Sequence, residues 1–169
     1  MADREIDAAA AALLDLCKAK GLTVATAESC TGGLVAGALT EIAGSSAVVD
    51  RGFVTYTNEA KEQMLGVPSE TLRRHGAVSR ETAEAMAKGV LAHAPVDLAV
   101  STTGVAGPGG GSAAKPVGLV HFAAAARDGR LIHRERRFGD VGRATVRRLS
   151  VLEALAMLTD LASGKNPQD

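Results

Sequence analysis

The chain alternates helix-like and strand-like segments for most of its length, and this order restricts the fold more than any other feature. Residues 3–20 have apolar positions at helical spacing, residues 22–27 (LTVATA) are typical of a buried strand, and residues 34–43 predict a second helix. Such alternation favours one sheet that is covered by helices on both faces. We therefore predict an α/β fold.

The later segments continue this order. They predict, in chain order, a strand in residues 47–57, a helix in residues 59–65, a helix in residues 79–94, a strand in residues 97–105, two strands in residues 119–126 and 131–138, and a last helix in residues 143–163. Asn58 is the expected N-cap of the helix in residues 59–65, and Ser79 that of the helix in residues 79–94. The turn at 127–130 (RDGR) predicts an antiparallel hairpin, which makes the sheet of about five strands mixed.

Composition indicates one domain with balanced charge. The 169 residues are 46% apolar but only 2% aromatic, so the core must be aliphatic. Nineteen basic and nineteen acidic residues balance, which argues against nucleic acid or a membrane as partner. The charged start (MADREID) has no signal peptide pattern, so we expect a cytoplasmic protein. Residues 1–163 are predicted to form a single domain, with a flexible tail at 164–169.

Residues 25–33 (ATAESCTGG) place two possible nucleophiles where a strand breaks into a helix. Ser29 and Cys30 then lie at the carboxyl edge of the sheet, where open α/β sheets bind ligands. In a purely structural strand-to-helix turn, Thr31 would be the helix N-cap. The amides of Thr31, Gly32 and Gly33 are expected to hold an oxyanion or a phosphate. A purely structural strand-to-helix turn remains the alternative.

Ser29 is a better predicted nucleophile than Cys30. A cysteine nucleophile needs a histidine nearby, and the four histidines are scattered along the chain. Free cysteine is also commonly buried, so we expect Cys30 to pack in the core. Lys61, near the start of its helix, is a possible base for Ser29 because the helix dipole opposes its charge. Tyr56 is positioned to share or relay the proton, and a solvated surface lysine remains the alternative.

A glycine-rich loop in residues 103–118 provides backbone amides for an anion. Its sequence is neither a Walker motif nor a dinucleotide fingerprint, and the alternative is a mobile surface loop. Arg143 and Arg147 are four residues apart on one helix face and are suited to bind a phosphate. Such arginines also commonly form surface ion pairs. Two cysteines and no His/Cys cluster predict no disulfide framework, no metal and no cofactor.

Four stretches together resemble the CinA C-terminal domain family. They are TAESCTGGLVAGALTEIAGSS, GFVTYTNEAKEQMLGV, GAVSRETAEAMAKG and STTGVAGPGGGSAAKPVGLVHFA, in the family's order. The resemblance covers roughly residues 20–125, and the final helix matches more weakly. It implies a three-layer α/β/α domain with a mixed, mostly parallel sheet. It also implies hydrolysis of the carboxamide of nicotinamide mononucleotide to nicotinate mononucleotide and ammonia, without a cofactor, by a stand-alone enzyme that forms a homo-oligomer.

The resemblance also implies roles for individual residues. Ser29 and Lys61 are expected to be catalytic together with Tyr56. The expected substrate-binding residues are Thr31, Gly32, Gly33, Asn58, Thr103, Gly104, Gly107, Gly109, Gly110, Arg143 and Arg147. The sequence GDVGRATVR departs from the family's pattern, because two residues are inserted between Asp140 and Arg143. Three other functions remain open: a non-catalytic nucleotide-binding module, an interaction protein, and an amidohydrolase for another carboxamide.

Overall fold

The computed structural model describes residues 3–165, which form one five-stranded sheet between two layers of helices. The helices are α1 (Arg4–Lys20), α2 (Leu34–Thr40), α3 (Asn58–Leu65), α4 (Ser69–His75), α5 (Arg80–His93) and α6 (Arg143–Ala162). The strands are β1 (Val24–Glu28), β2 (Val49–Val54), β3 (Leu98–Gly104), β4 (Leu119–Ala126) and β5 (Leu131–Arg137). A 3-10 turn at Ser45–Ala47 precedes β2.

The sheet has the strand order β2-β1-β3-β4-β5 and is mixed, as predicted. β1 pairs in parallel with β2 and β3, while β3–β4 and β4–β5 pair antiparallel, so the parallel and antiparallel pairings are equal in number. Four strands nevertheless run in the same direction. Glu28, the last residue of β1, lies opposite Val54 of β2 and Thr102 of β3. The carboxyl ends of three neighbouring strands therefore meet at one edge.

The two faces of the sheet bury different side chains, because strand residues alternate between faces. Val24, Leu98 and Val100 point into the larger core, which they share with α1, α2 and α6. Ala25 and Ala99 point the opposite way, against α3, α4 and α5. This arrangement confirms the three layers.

A glycine in α5 allows α5 to pack closely against α3. A Cβ atom on Gly89 would lie 2.2 Å from the carbonyl oxygen of Leu65, the last residue of α3. Any side chain at this position would therefore push the two helices apart.

Several local predictions were wrong. Thr57, not Asn58, caps α3, because its hydroxyl accepts a hydrogen bond from the amide of Ala60 at 3.0 Å. Asn58 is instead the first helical residue. Gly33, not Thr31, occupies the N-cap position of α2. The short helix α4 was not predicted, since seven residues after Pro68 carry too few apolar positions to show a helical period.

The end of α6 closes in a turn. The amides of Gly164 and Lys165 donate to the carbonyl oxygens of Leu161 and Asp160. The rest of the predicted tail, residues 166–169, lies outside the described residues. Within residues 3–165, no helix combines the length and apolar character that crossing a bilayer requires.

Candidate active site

Ser29 lies immediately after β1, at the edge where three strand ends meet. Its amide donates to the carbonyl oxygen of Thr102 at 2.9 Å, which extends the pairing of β1 with β3 by one residue. The chain then turns sharply through Gly32, whose φ of +58° is a conformation that glycine adopts without strain. A Cβ on Gly32 would also approach the Arg147 guanidinium to 3.3 Å. This turn leaves the Ser29 side chain at the edge of the sheet.

Lys61 contacts Ser29 directly. Its Nζ lies 3.0 Å from Ser29 Oγ, 2.9 Å from the Thr55 carbonyl oxygen and 3.3 Å from that of Tyr56. The lysine is only 1% exposed, although α3 is a surface helix. Burial lowers the pKa of the Lys61 ammonium, and the neighbouring Cys30 thiol opposes this effect. The interpretation of Lys61 as a solvated surface lysine is therefore wrong.

These three partners determine how neutral Lys61 orients its hydrogen bonds. An amine has two N–H donors and one lone pair, and the carbonyl oxygens of Thr55 and Tyr56 can only accept. When the two carbonyls take both N–H groups, the lone pair faces the Ser29 hydroxyl, the only partner of the three able to donate. The arrangement thus places a buried proton acceptor against a serine hydroxyl.

A cavity of about 290 Å³ opens above this pair. Its lining includes most of the predicted site: Ser29, Tyr56, Lys61, Thr103, Gly104, Gly107, Gly109, Gly110 and Arg143. It also includes residues that were not predicted as binding: Cys30, Ala77, Val78, Val105 and Ala106. The predicted residues that do not line it, all within the described chain, are Thr31, Gly32, Gly33, Asn58 and Arg147. The glycine-rich loop therefore forms part of the cavity wall.

Residues 31–33, whose amides were expected to hold an anion, do not line the cavity. The Gly32 amide donates to the Ser29 carbonyl oxygen at 3.0 Å. Thr31 is fully buried, and its hydroxyl lies 2.7 Å from that of Thr102. Of residues 30–33, Cys30 alone lines the cavity. Cys30 is therefore the residue of this turn that could offer a backbone amide to a bound substrate.

Glu28 is an important residue that sequence reasoning missed. Its carboxylate is buried at the end of β1 and accepts hydrogen bonds from the amides of Val35 (2.8 Å) and Ala36 (3.0 Å) in α2. These amides belong to the first turn of α2, directly after residues 31–33, whose amides were expected to hold a ligand. An acid shortly before a helix start is the signal that would have identified it, because carboxylates stabilise helix N-termini.

The glycine-rich loop forms the opposite wall and is held by close packing. A Cβ on Gly107, which has a φ of +81°, would lie 2.5 Å from Cγ1 of Val117. Thr103 was expected to bind substrate, but its hydroxyl donates to the carbonyl oxygen of Ala77 at 2.8 Å. This bond ties the loop before α5 to the end of β3, so two walls of the cavity are joined.

Arg143 bridges the two sides of the cavity mouth. One guanidinium nitrogen donates to the Gly107 carbonyl oxygen at 2.9 Å, and another donates to Tyr56 Oη at 3.0 Å. The two-residue insertion before Arg143 thus does not remove it from the cavity. Tyr56 is 58% exposed, and only its carbonyl oxygen approaches Lys61. Its hydroxyl is therefore not positioned to relay a proton between Ser29 and Lys61 in this arrangement.

Arg147 points away from the cavity, although it is one helical turn from Arg143. Its Nε and Nη2 donate to the carbonyl oxygens of Cys30 (3.2 Å) and Thr31 (3.3 Å). The two arginines therefore do not converge on one phosphate, contrary to the expectation from their spacing.

Cys30 packs in the core, as predicted. The residue is 5% exposed, and burial raises the pKa of its thiol to about 11.

None of the four histidines, all of which the structure describes, lines the cavity. Two of them form a pair that was not predicted: His121 Nδ1 lies 2.9 Å from His133 Nε2 across β4 and β5.

The order of these motifs around one buried serine and lysine matches a known family. The CinA C-terminal domain family matches residues 6–162. The chain belongs to this family. Compared with solved structures, the CinA-type chain is similar to the competence/damage inducible protein CihA from Agrobacterium tumefaciens, with 58% identity and a TM-score of 0.94. That match covers 95% of this chain and 98% of the other, so the fold is shared throughout.

Two curated relatives in the family carry an enzyme name. Nicotinamide-nucleotide amidohydrolase PncC from Escherichia coli (strain K12) is 57% identical over 142 residues, 83% of this chain and 85% of the relative. The protein of the same name from Enterobacter agglomerans is 58% identical over 121 residues, 72% of this chain and 74% of the relative. This CinA-type chain thus shares most of its length with named amidohydrolases.

Proposed function

We propose that this protein hydrolyses the carboxamide of nicotinamide mononucleotide, giving nicotinate mononucleotide and ammonia. The names of its relatives from Escherichia coli and Enterobacter agglomerans support the substrate. The 3.0 Å contact between buried Lys61 Nζ and Ser29 Oγ supports the mechanism and is the observation on which it depends. A serine activated by a neutral lysine is a recognised arrangement for acyl transfer.

In the first half of the reaction, Ser29 Oγ attacks the carboxamide carbon and Lys61 Nζ accepts the hydroxyl proton. The negative charge moves to the carboxamide oxygen, where the Cys30 amide donates a hydrogen bond to it. The intermediate then collapses and the C–N bond breaks. Lys61 returns its proton to the departing nitrogen, which leaves as ammonia.

In the second half, water hydrolyses the ester between Ser29 and the nicotinoyl group. Lys61, neutral again, removes a proton from the water as its oxygen attacks the acyl carbon. The bond to Ser29 Oγ breaks, and Lys61 gives the proton to this oxygen. The carboxylic acid product ionises as it leaves, and both residues regain their starting states. The scheme uses only this chain and water, and we predict no cofactor or metal.

The cavity walls supply contacts for the rest of the nucleotide. Arg143, across the mouth, is the cationic side chain in the lining other than Lys61, and we assign it to the 5′-phosphate. The loop from Gly107 to Gly110 would bring backbone amides close to the ribose and phosphate. The exposed ring of Tyr56 is suited to contact the pyridine ring. Thr103 would support this wall through Ala77 rather than bind substrate itself.

Two further expectations accompany the proposal. A cytoplasmic location and a homo-oligomeric state remain predictions from the sequence and the family. Size-exclusion chromatography with light scattering tests the second, since a single mass near 17.2 kDa would contradict it.

Ammonia release from nicotinamide mononucleotide tests the function. Purified protein and the Ser29→Ala variant are incubated with the nucleotide, and ammonia is measured by a coupled enzymatic assay. We expect release by the wild type only. Release by both proteins at equal rates would overturn the nucleophile assignment. A folded wild type that binds the nucleotide without releasing ammonia would favour a binding module instead.

A further inference from the structure

Arg147 is joined to the turn that carries the proposed nucleophile. Its side chain reaches from α6 to the main chain of residues 30 and 31, where two of its nitrogens donate to consecutive carbonyl oxygens. The distances are 3.2 Å to Cys30 and 3.3 Å to Thr31. Both contacts lie directly after Ser29 in the sequence.

The position of Arg147 does not fit a phosphate ligand. It is absent from the lining of the catalytic cavity, which the structure describes in full. It lies instead in a separate groove between α1, α2 and α6, together with Gly33 and Leu34. Arg147 and Arg143 thus line different cavities, so a phosphate beside Arg143 would lie outside the groove that Arg147 lines.

The bonds to residues 29–31 fix the peptide planes around the Cys30 amide. In a trans peptide, the C=O and the following N–H point in opposite directions, so holding one orients the other. The Gly32 amide donates to the Ser29 carbonyl oxygen. This bond orients the Cys30 N–H, which belongs to the same peptide group. Arg147 holds the next carbonyl, that of Cys30, and so fixes the peptide on the other side of this residue. Both peptides that flank Cys30 are thus fixed by hydrogen bonds.

We propose that Arg147 is a positioning residue that holds the Ser29–Thr31 turn, and hence the Cys30 amide, in the geometry that stabilises the oxyanion. This inference depends on the proposed amidohydrolase function. It assigns Arg147 to the chemical step, whereas the sequence assigned it to phosphate binding. A group that orients an oxyanion donor affects the transition state more than the bound substrate.

The guanidinium group suits this role because it is a planar fork. Nε and Nη2 project in parallel, which allows one side chain to hold two successive carbonyl oxygens. A lysine at this position keeps the charge but offers no fixed fork. We therefore expect Arg147→Lys to be intermediate between the wild type and Arg147→Gln.

Steady-state kinetics with two substrates test the proposal. Ammonia release by wild type, Arg147→Gln and Arg147→Lys is measured with nicotinamide mononucleotide and with nicotinamide riboside, which lacks the phosphate. The matched control is Arg148→Gln, since the Arg148 side chain pairs with Asp3 and Glu5 away from the site. Each kcat is divided by the folded fraction at the assay temperature, which is taken from a circular dichroism melt.

A positioning role predicts a loss in kcat that does not depend on the phosphate. For Arg147→Gln we expect kcat to fall about 10-fold to 100-fold on both substrates, with KM changed less than about threefold. A rise in KM on the nucleotide alone would overturn the inference and restore the phosphate role. Unchanged kinetics in folded Arg147→Gln would also overturn it. If the wild type releases no ammonia from either substrate, the proposed function itself fails.

Discussion

Lys61 Nζ and Ser29 Oγ lie 3.0 Å apart at the closed end of a cavity, and the lysine is almost completely buried. The two residues are 32 positions apart in the chain and come from different elements. They meet because β1 and β2 are parallel neighbours, so the segments that follow both strands emerge at the same sheet edge. The consequences of this contact are testable in several independent ways.

Removing the base is expected to abolish turnover without unfolding the protein. We predict that Lys61→Met lowers kcat by about 100-fold to 10,000-fold, because a side chain that transfers a proton in the transition state contributes that much to the rate. Ammonia release from nicotinamide mononucleotide measures the loss. Lys88→Met is the matched control, since Lys88 is an exposed lysine on α5. Comparable activity in both variants would rule out Lys61 as the base.

We predict that kcat rises with pH on the acidic side of its pH profile. Burial lowers the pKa of Lys61 below the usual 10.5, and only the neutral amine accepts a proton from Ser29. The reactive fraction therefore increases as the pH rises through this lowered pKa. A profile of kcat against pH should show a single ascending limb with an apparent pKa below 10.5. A profile that is flat over the range in which the fold is stable would contradict this assignment.

The same lowered pKa predicts how the stability depends on pH. A buried ammonium is costly, so the folded protein binds its proton on Lys61 less tightly than the unfolded chain does. The contribution of Lys61 to the free energy of unfolding therefore increases as the pH rises from the lowered pKa of the folded state towards 10.5. Lys61→Met has no such group. Thermal melts should show that the melting temperature of Lys61→Met, relative to wild type, is higher at pH 7 than at pH 10.

An equal difference in melting temperature at the two pH values would argue against a lowered pKa. Lys88→Met again serves as the control, because it removes a solvated lysine and should give no pH-dependent difference. For a chain of this size, each kcal/mol corresponds to about 2–4 °C. Shifts of this kind are resolved by circular dichroism.

The cysteine beside the nucleophile should be chemically inert. Burial raises the pKa values of Cys17 and Cys30 to about 11, so almost no thiolate exists at pH 8. We predict that the native protein does not react with a disulfide reagent such as 5,5′-dithiobis(2-nitrobenzoate) at this pH, and that both thiols react in denaturant. Cys30→Ala should retain kcat within about threefold, because its amide is unchanged. Complete loss in a folded Cys30→Ala protein would point to a thiolate mechanism.

The sequence predicted the elements and the contact between Ser29 and Lys61 better than it predicted the other contacts around the cavity. Periodicity and capping residues such as Ser79 and Gly66 predicted most helix and strand positions, because they depend on short-range rules. The meeting of Ser29 with Lys61 followed from the family resemblance and the expected parallel strands. Spacing alone left it open.

The errors concern side chains whose partners are distant in sequence. The contacts of Arg147 were missed because its spacing to Arg143 describes only a shared helix face, not the direction of each guanidinium group. The hydrogen bonds of Glu28 to the amides of Val35 and Ala36 were missed, because they are visible only in the folded chain. Thr103 likewise has its partner in Ala77, 26 residues away.

The last prediction concerns Glu28, which directly precedes Ser29. Its carboxylate binds the first turn of α2 and so ties together the two ends of the turn that carries Ser29. Its two carboxylate oxygens accept separate hydrogen bonds from Val35 and Ala36, whereas a glutamine offers one acceptor and places an NH₂ group against an N–H donor. Glu28→Gln should therefore lose about 1–3 kcal/mol of unfolding free energy in urea, and kcat should fall with KM nearly unchanged. Glu41→Gln is the matched control, since Glu41 is exposed at the opposite end of α2. Equal stability and kcat in the two variants would show that the Glu28 carboxylate does not support the nucleophile turn.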